Sequence, residues 1–334
     1  MRKALAFLLL ISVLLSVTML SLAEEEESRT FTSGDWECCI TDDGTLSIRY
    51  LGNDNEVVVP EKLDGRKVTD IGDSAFAFRE SLTSVTIPDG VTSIGGNAFC
   101  VCSSLTSITI PDSVTYIGES TFCVCTSLTS VTIPDSVMCI DGNPFVLCDK
   151  LSEIVVSPDH MFFETIDGVL ISKPDMRLVC YPCAFREETY QIPDGVMAIG
   201  NGAFHSCKAL TSITIPDSVT SIGVLAFAYC GSMTSVTVPD SVTSIGAYAF
   251  TGCESLTSVT MPDSVTSIGD GAFSFCGSLT SVTIPDSVTG IGDDAFAGCE
   301  SLTATVGRNS YAEQYCAEKG IKYTYADANA RLND

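Results

Sequence analysis

From residue 61 to residue 303 the chain follows a schedule of apolar and polar positions that returns every 23 residues. In one unit, Leu105, Ile108 and Ile110 alternate with polar residues, the spacing of a strand with one inward face. Pro111-Asp112 then turns the chain, and Val114 and Ile117 form a second short inward segment. Gly118 is expected to permit a tight bend, and Phe122 closes the coil. The period is marked by Pro88, Pro111 and Pro134, and again by Pro193, Pro216, Pro239, Pro262 and Pro285. The closing Phe recurs at 76, 99, 122, 145, 204, 227, 250, 273 and 296. The longer interval between Pro134 and Pro193 places an insertion at about residues 152–190. A lone unit of this kind leaves both flanks of its apolar row open to water, so the pattern requires stacking.

The two ends depart from the schedule. Residues 34–60 read as a β-hairpin turning at Asp43-Gly44, which would cover the first coil and keep its open edge from pairing. Near the other end, Ser310 is a candidate N-cap, with Glu313 three residues on and Gly320 as a stop. Ile321 to Tyr325 then read as a last strand. The expected division is a signal segment at 1–23, an acidic linker and N-terminal cap at 24–60, a solenoid at 61–303 and a C-terminal cap at 304–334. The expected fold is an α/β, β-rich repeat solenoid: a right-handed stack of 23-residue coils with a hairpin cap and a helix-strand cap.

Charge and the first residues set the compartment. Met1-Arg2-Lys3, an apolar stretch from Ala4 to Leu20 and small residues at Ser21 and Ala23 make an export signal, followed by acids from Glu24 to Glu27. The chain carries 42 acidic against 17 basic residues, a formal net charge of −25. Removing 1–23 takes away Arg2 and Lys3 and no acid, so the remainder is more negative still. Nucleic acid and anionic lipid are therefore poor partners, and a secreted or surface-exposed monomer is expected.

The unit Leu-x-x-Val-x-Ile-Pro-x-x-Val-x-x-Ile-Gly-x-x-Ala-Phe-x-x-Cys resembles the BspA-type leucine-rich repeat family of secreted and surface proteins. Leu105, Ile108 and Ile110 match its inward strand positions; Ile117, Phe122 and Cys125 match its closing segment. The run from Ile166 to Pro182 resembles the family's two-stranded excursion with a hairpin turn. The resemblance implies an adhesin-like protein that binds host or neighbouring-cell proteins. A passive display module and a glycan-binding or ion-buffering surface protein are the alternatives.

Sixteen cysteines ask for a disulfide reading in an exported chain. Eight stand three residues after the repeat Phe, at 102, 125, 148, 207, 230, 253, 276 and 299. Rungs about 4.8 Å apart with parallel side chains exceed the Cβ separation of roughly 3.8 Å that a disulfide prefers, so bridging would strain the stack and buried thiols are expected there. Cys100 and Cys123 occupy equivalent places in adjacent coils; a bridge between them and a zinc site with Cys102 and Cys125 are both open readings. Cys180-Tyr-Pro-Cys183 has redox spacing but follows a strand. The Asp after each repeat Pro is expected to bond the turn backbone, with a diffuse cation ridge as the other reading. Only His160 and His205 are present, and no nucleophile, zinc or phosphate-loop motif accompanies them, so neither enzyme activity nor a cofactor or metal is expected. The candidate contact residues are the outward threonines Thr86, Thr109, Thr132, Thr214, Thr237, Thr260 and Thr283, and the apolar break Met161, Phe162 and Phe163.

Overall fold

The computed structural model describes residues 29–182 and 184–326. Each coil contributes two short strands, and equivalent strands of successive coils pair in parallel. One row runs through Ser212–Thr214, Ser235–Thr237, Ser258–Thr260 and Ser281–Thr283. The other runs through Ala198–Ile199, Ser221–Ile222, Ser244–Ile245, Ser267–Ile268 and Gly290–Ile291. Ser107–Thr109 buries Ile108 without forming a regular strand. The stacked coils themselves are strands and turns, and the helix Tyr311–Lys319 belongs to the C-terminal cap, so the body is a β-solenoid.

The interior is a set of columns. Phe76, Phe99, Phe122 and Phe145 stack nearly parallel with centroids 5.0–5.6 Å apart, as do Phe204, Phe227, Phe250, Phe273 and Phe296 at 5.0–5.4 Å. Each ring inside a column meets an equivalent ring above and below, a burial no isolated coil could supply. Three of the four column ends are closed by other aromatics. Trp36 and Tyr50 pack on Phe76, Tyr181 on Phe204 and Tyr315 on Phe296.

The glycine of each Ile-Gly step answers to this stacking and not to a bend, which corrects the expectation for Gly118. Gly118 does not adopt a positive φ; a Cβ there would stand 2.4 Å from the Gly96 nitrogen of the preceding coil. Gly246 and Gly269 meet the same obstruction from Gly223 and Ala247. The left-handed positions lie two residues either side of the Phe, where Ser120 and Val124 have φ of 56° and 57°.

The N-terminal cap is a three-stranded antiparallel meander, β1 (Thr30–Ser33), β2 (Trp36–Ile40) and β3 (Leu46–Tyr50). The β2–β3 turn at Asp43-Gly44 is the expected one; β1 adds a strand that the hairpin reading did not contain. At the other end, helix α1 (Tyr311–Lys319) has Ser310 as N-cap, its Oγ accepting from the Glu313 amide at 3.1 Å. Glu313 in turn accepts from the Asn309 amide, and Gly320 ends the helix at φ 70°. The closing strand Lys322–Tyr325 pairs in parallel with Thr303–Val306.

The insertion contains the expected hairpin and adds a strand before it: β4 (Phe163–Ile166), β5 (Val169–Ser172) and β6 (Arg177–Cys180) form an antiparallel ribbon. All of β5 is buried, and its alternating faces serve different interiors. Val169 and Ile171 join the core of the C-terminal coils, whereas Leu170 joins that of the N-terminal coils. In β6, Leu178 faces the first and Val179 the second. The ribbon thus forms a partition. On the turn side the two halves meet directly, where the Asn143 amide donates to the Gly202 carbonyl at 2.8 Å. His160 secures the entry to the ribbon: it is 1% exposed, Nε2 contacts the Pro134 carbonyl at 3.0 Å, and Nδ1 accepts from the Phe162 and Phe163 amides.

Four substitutions, in two pairs, test this account by urea denaturation. Gly118→Ala should cost about 3 kcal/mol because backbone cannot yield to the new methyl. Gly231→Ala, where nothing lies within 4 Å, should stay within about 0.5 kcal/mol. His160→Ala strands two amides and a carbonyl and should cost about 3 kcal/mol, whereas Phe162→Ala at the partly buried neighbour should cost distinctly less.

Candidate functional site

Three rows of repeat hydroxyls are consumed by stacking. Thr234, Thr257 and Thr280 each donate Oγ1 to the carbonyl of the threonine 23 residues earlier, at 3.2–3.3 Å. Thr115, Thr243 and Thr266 form a second such row, at 3.2–3.4 Å. Ser113, Ser136, Ser218, Ser241, Ser264 and Ser287 donate to the Val of the coil before. The strand hydroxyls are different. Thr86, Thr109, Thr132, Thr214, Thr237, Thr260 and Thr283 are all exposed, and among the described residues their side chains make no hydrogen bond. Gln191, Thr214, Thr237, Thr260, Thr283, Thr305 and Thr324 occupy one register line across successive strands. In the N-terminal half the line is bounded by Val58 and Val155, which lie opposite Thr86 and Thr132.

The apolar break does not form one contact surface. Met161 is 78% exposed and Phe162 half-buried, but Phe163 is 2% exposed with its ring against His160. Strand alternation carries Phe163 into the core, and much of the insertion around it is the partition itself. Phe163 is therefore a packing residue.

The cysteines divide as follows. Cys102, Cys125, Cys148, Cys230, Cys253, Cys276 and Cys299 are buried free thiols whose Sγ donates to the carbonyl of the preceding coil's Phe, at 3.0–3.2 Å. Burial pushes the Cys102, Cys125 and Cys253 thiols up to about 12, so they remain protonated donors and weak nucleophiles. Cys100 and Cys123 form a disulfide, with Cα atoms 4.5 Å apart. That bridge consumes two of the four sulfurs a zinc site there would need. Cys180 is buried on β6, and Cys183 lies outside the described residues, as does the signal segment. No helix among the described residues is long and apolar enough to cross a membrane.

The aspartates after the repeat prolines are not turn-bonders. The turn is closed by backbone, with the Val114 amide donating to the Pro111 carbonyl, and by the neighbouring Ser113. Asp89, Asp112, Asp135, Asp194, Asp217, Asp240, Asp263 and Asp286 are exposed, with no side-chain hydrogen bond among the described residues. They form an acidic ridge. His205 is buried with Nδ1 3.0 Å from Ser206 Oγ, and desolvation lowers its pKa.

A trough of about 700 Å³ crosses the joint between the halves, and sequence reading missed it. Its floor consists of small residues such as Gly96, Ala198, Gly200 and Gly223, and its polar lining includes Asp73, Tyr116, Glu119, Asp141, Arg177 and Asn201. Tyr116 donates to Asp141 Oδ2 at 2.6 Å, and that bond, more than burial, pushes its pKa up to about 12. Arg177 pairs with Asp175 at 2.9 Å and donates to the Ile140 carbonyl. These residues are where the columns fail. Tyr116 stands in the register line of Ser93 and Asp70. Asp141 replaces the stacking glycine, and the left-handed residue stands one position earlier than in the other coils, at Gly142. Reading the repeat by column instead of by motif would have found them.

The model of the BspA-type leucine-rich repeat region matches this chain in six copies, over residues 60–166 and 179–303. Among solved structures, a leucine-rich cell surface protein from Faecalibacterium prausnitzii is similar at 29% identity and a TM-score of 0.61, covering 86% of this chain and 96% of that one. A leucine-rich repeat protein from Eubacterium ventriosum is similar at 25% identity and a TM-score of 0.58, covering 80% and 93%. The pneumococcal vaccine antigen PcpA shares the fold at 19% identity and a TM-score of 0.62, covering 89% and 98%. No curated protein matches the sequence. The repeat unit, its stacked columns and the matched span agree: the chain belongs to the BspA-type leucine-rich repeat family.

Proposed function

We propose that this chain is a non-enzymatic, exported or surface-displayed interaction protein, adhesin-like, which binds extracellular proteins of a host or a neighbouring cell. The observation that carries this reading is the division of labour among hydroxyls. The threonines off the strands are occupied by neighbouring coils, while Thr214, Thr237, Thr260 and Thr283 stand free on a continuous parallel sheet. A rigid array of this kind meets a partner without ordering cost in its own backbone. The excess of acid, 42 against 17 basic residues, favours a basic partner and suppresses anionic ones. The N-terminal signal pattern and the likeness to a protein described as a cell surface protein support the compartment. A glycan ligand is the second reading, favoured by the polar, carboxylate-lined trough at the joint.

The test is a binding screen of the purified protein against matrix proteins, mucins and glycans. Saturable binding to a protein ligand is expected. Joint replacement of Thr214, Thr237 and Thr260 by lysine should weaken it at least tenfold and leave the urea midpoint nearly unchanged. Binding to glycans alone, reduced by Asp141→Ala and not by the threonine changes, would transfer the function to the trough. Binding to nothing would refute both.

A further inference from the structure

A second concavity lies on the strand side of the joint, where the first row of strands is interrupted. Among the described residues, the strand Glu153–Val156 pairs only with Ser130–Ile133, and β7 (Thr189–Gln191) begins a new sheet by pairing only with Ser212–Thr214. The partition ribbon separates the two. Unlike the capped ends of the solenoid, this is an internal strand edge.

The bonding phase of that edge follows from its neighbours. The Ser212 amide donates to the Glu188 carbonyl, and the Ile192 amide donates to the Thr214 carbonyl at 3.1 Å. In a parallel pair, alternate residues of a strand bond to the same side. Glu188, Tyr190 and Ile192 are therefore directed at the next coil, and the amides and carbonyls of Thr189 and Gln191 point the other way. Beside them is a pocket of about 480 Å³ lined by Asp167, Tyr181, Phe185, Glu187, Thr189, Tyr190 and Gln191. Its walls are aromatic: the Tyr181 ring lies 5.4 Å from Phe185 and 4.9 Å from Tyr190. Among the described residues the Tyr190 hydroxyl, shut off from water, has no hydrogen-bond partner, a costly arrangement for a fold to carry. Burial and the charge of Asp167 hold that phenol up to about 12, so it stays protonated.

We propose that this edge and pocket form a docking site for an extended segment of a basic protein. The segment would add to β7 as a strand, exchanging backbone hydrogen bonds with Thr189 and Gln191, and would place a lysine or arginine side chain in the aromatic pocket. Three features select this occupant. An open strand edge takes backbone, which a saccharide lacks. Aromatic faces attract a cation, more strongly where it is desolvated. Asp167 and Glu187 give the lining a negative charge, in keeping with the charge of the whole chain. The inference rests on the reading of the chain as a protein-binding scaffold but uses a different surface from the threonine face.

The probe is fluorescein-labelled acetyl-Thr-Val-Lys-Val-Thr-amide, followed by anisotropy with the full chain. Saturable binding is expected. It should fall at least tenfold when alternate peptide amides are N-methylated, and about tenfold when Lys is exchanged for Glu or when the protein carries Asp167→Asn with Glu187→Gln. Tyr190→Phe gives the separating readout. Loss of a stranded hydroxyl should raise the urea midpoint, whereas the peptide should bind several-fold more weakly. Lysine at Thr260 and Thr283, three and four strands from Gln191 along the register line, should leave the peptide affinity unchanged, so failure of the threonine face in the earlier screen bears on that face and not on this site. Equal affinity for the N-methylated peptide, indifference to the charge variants, displacement of the peptide by chitotetraose, or no saturation at millimolar peptide would each overturn the proposal.

Discussion

The spacing between coils governs everything else in this protein. Each coil hydrogen-bonds to the next through its backbone, and the ring-to-ring distances of 5.0–5.6 Å record the resulting rise. At that separation the Ile-Gly step of one coil lies against backbone of the coil before it, so side chains are excluded from the column of Gly95, Gly118, Gly223, Gly246 and Gly269. The Phe columns, the thiol-to-carbonyl bonds and the hydroxyl ladders are all ways of using a fixed, short repeat distance. The verbatim character of the repeat follows from this: an altered residue would have to fit its own coil and both neighbours.

The same constraint explains which features were legible in sequence. The strand face, the closing Phe, the buried thiols, the hairpin at Asp43-Gly44 and the Ser310–Gly320 helix obey local rules of spacing, capping and burial. What escaped depended on contacts between residues far apart in the chain. Gly118 looked like a bend because its clash partner, Gly96, is a coil away. The post-proline aspartates looked like turn residues because the competing Ser113 bond runs to Val91 in another coil. Phe163 looked like an exposed anchor because the ribbon that buries it has no counterpart in the repeat. The trough and the edge pocket were unreadable for a related reason: both exist only because the insertion separates coils that would otherwise stack.

Regularity and recognition are therefore distributed unequally. Where the columns are intact, the strand face and the post-proline turns repeat the same hydroxyls and carboxylates from coil to coil. Where they break, Tyr116, Asp141 and Arg177 come together on one side of the joint, and Tyr181, Phe185 and Tyr190 on the other. The joint supplies the concave relief that an uninterrupted stack of identical units lacks.

The partition ribbon also changes what kind of body the solenoid is. In an unbroken repeat array each unit transmits stability to its neighbours, and cooperativity extends as far as the array is uniform. Here the side chains of β5 and β6 divide the apolar interior into two, and the halves communicate through the ribbon and a few direct links such as Asn143 to Gly202. Loss of a coil on one side need not propagate through the other, because the ribbon presents each with its own apolar wall. The insertion thus works as a bulkhead, confining local damage to one compartment of the structure.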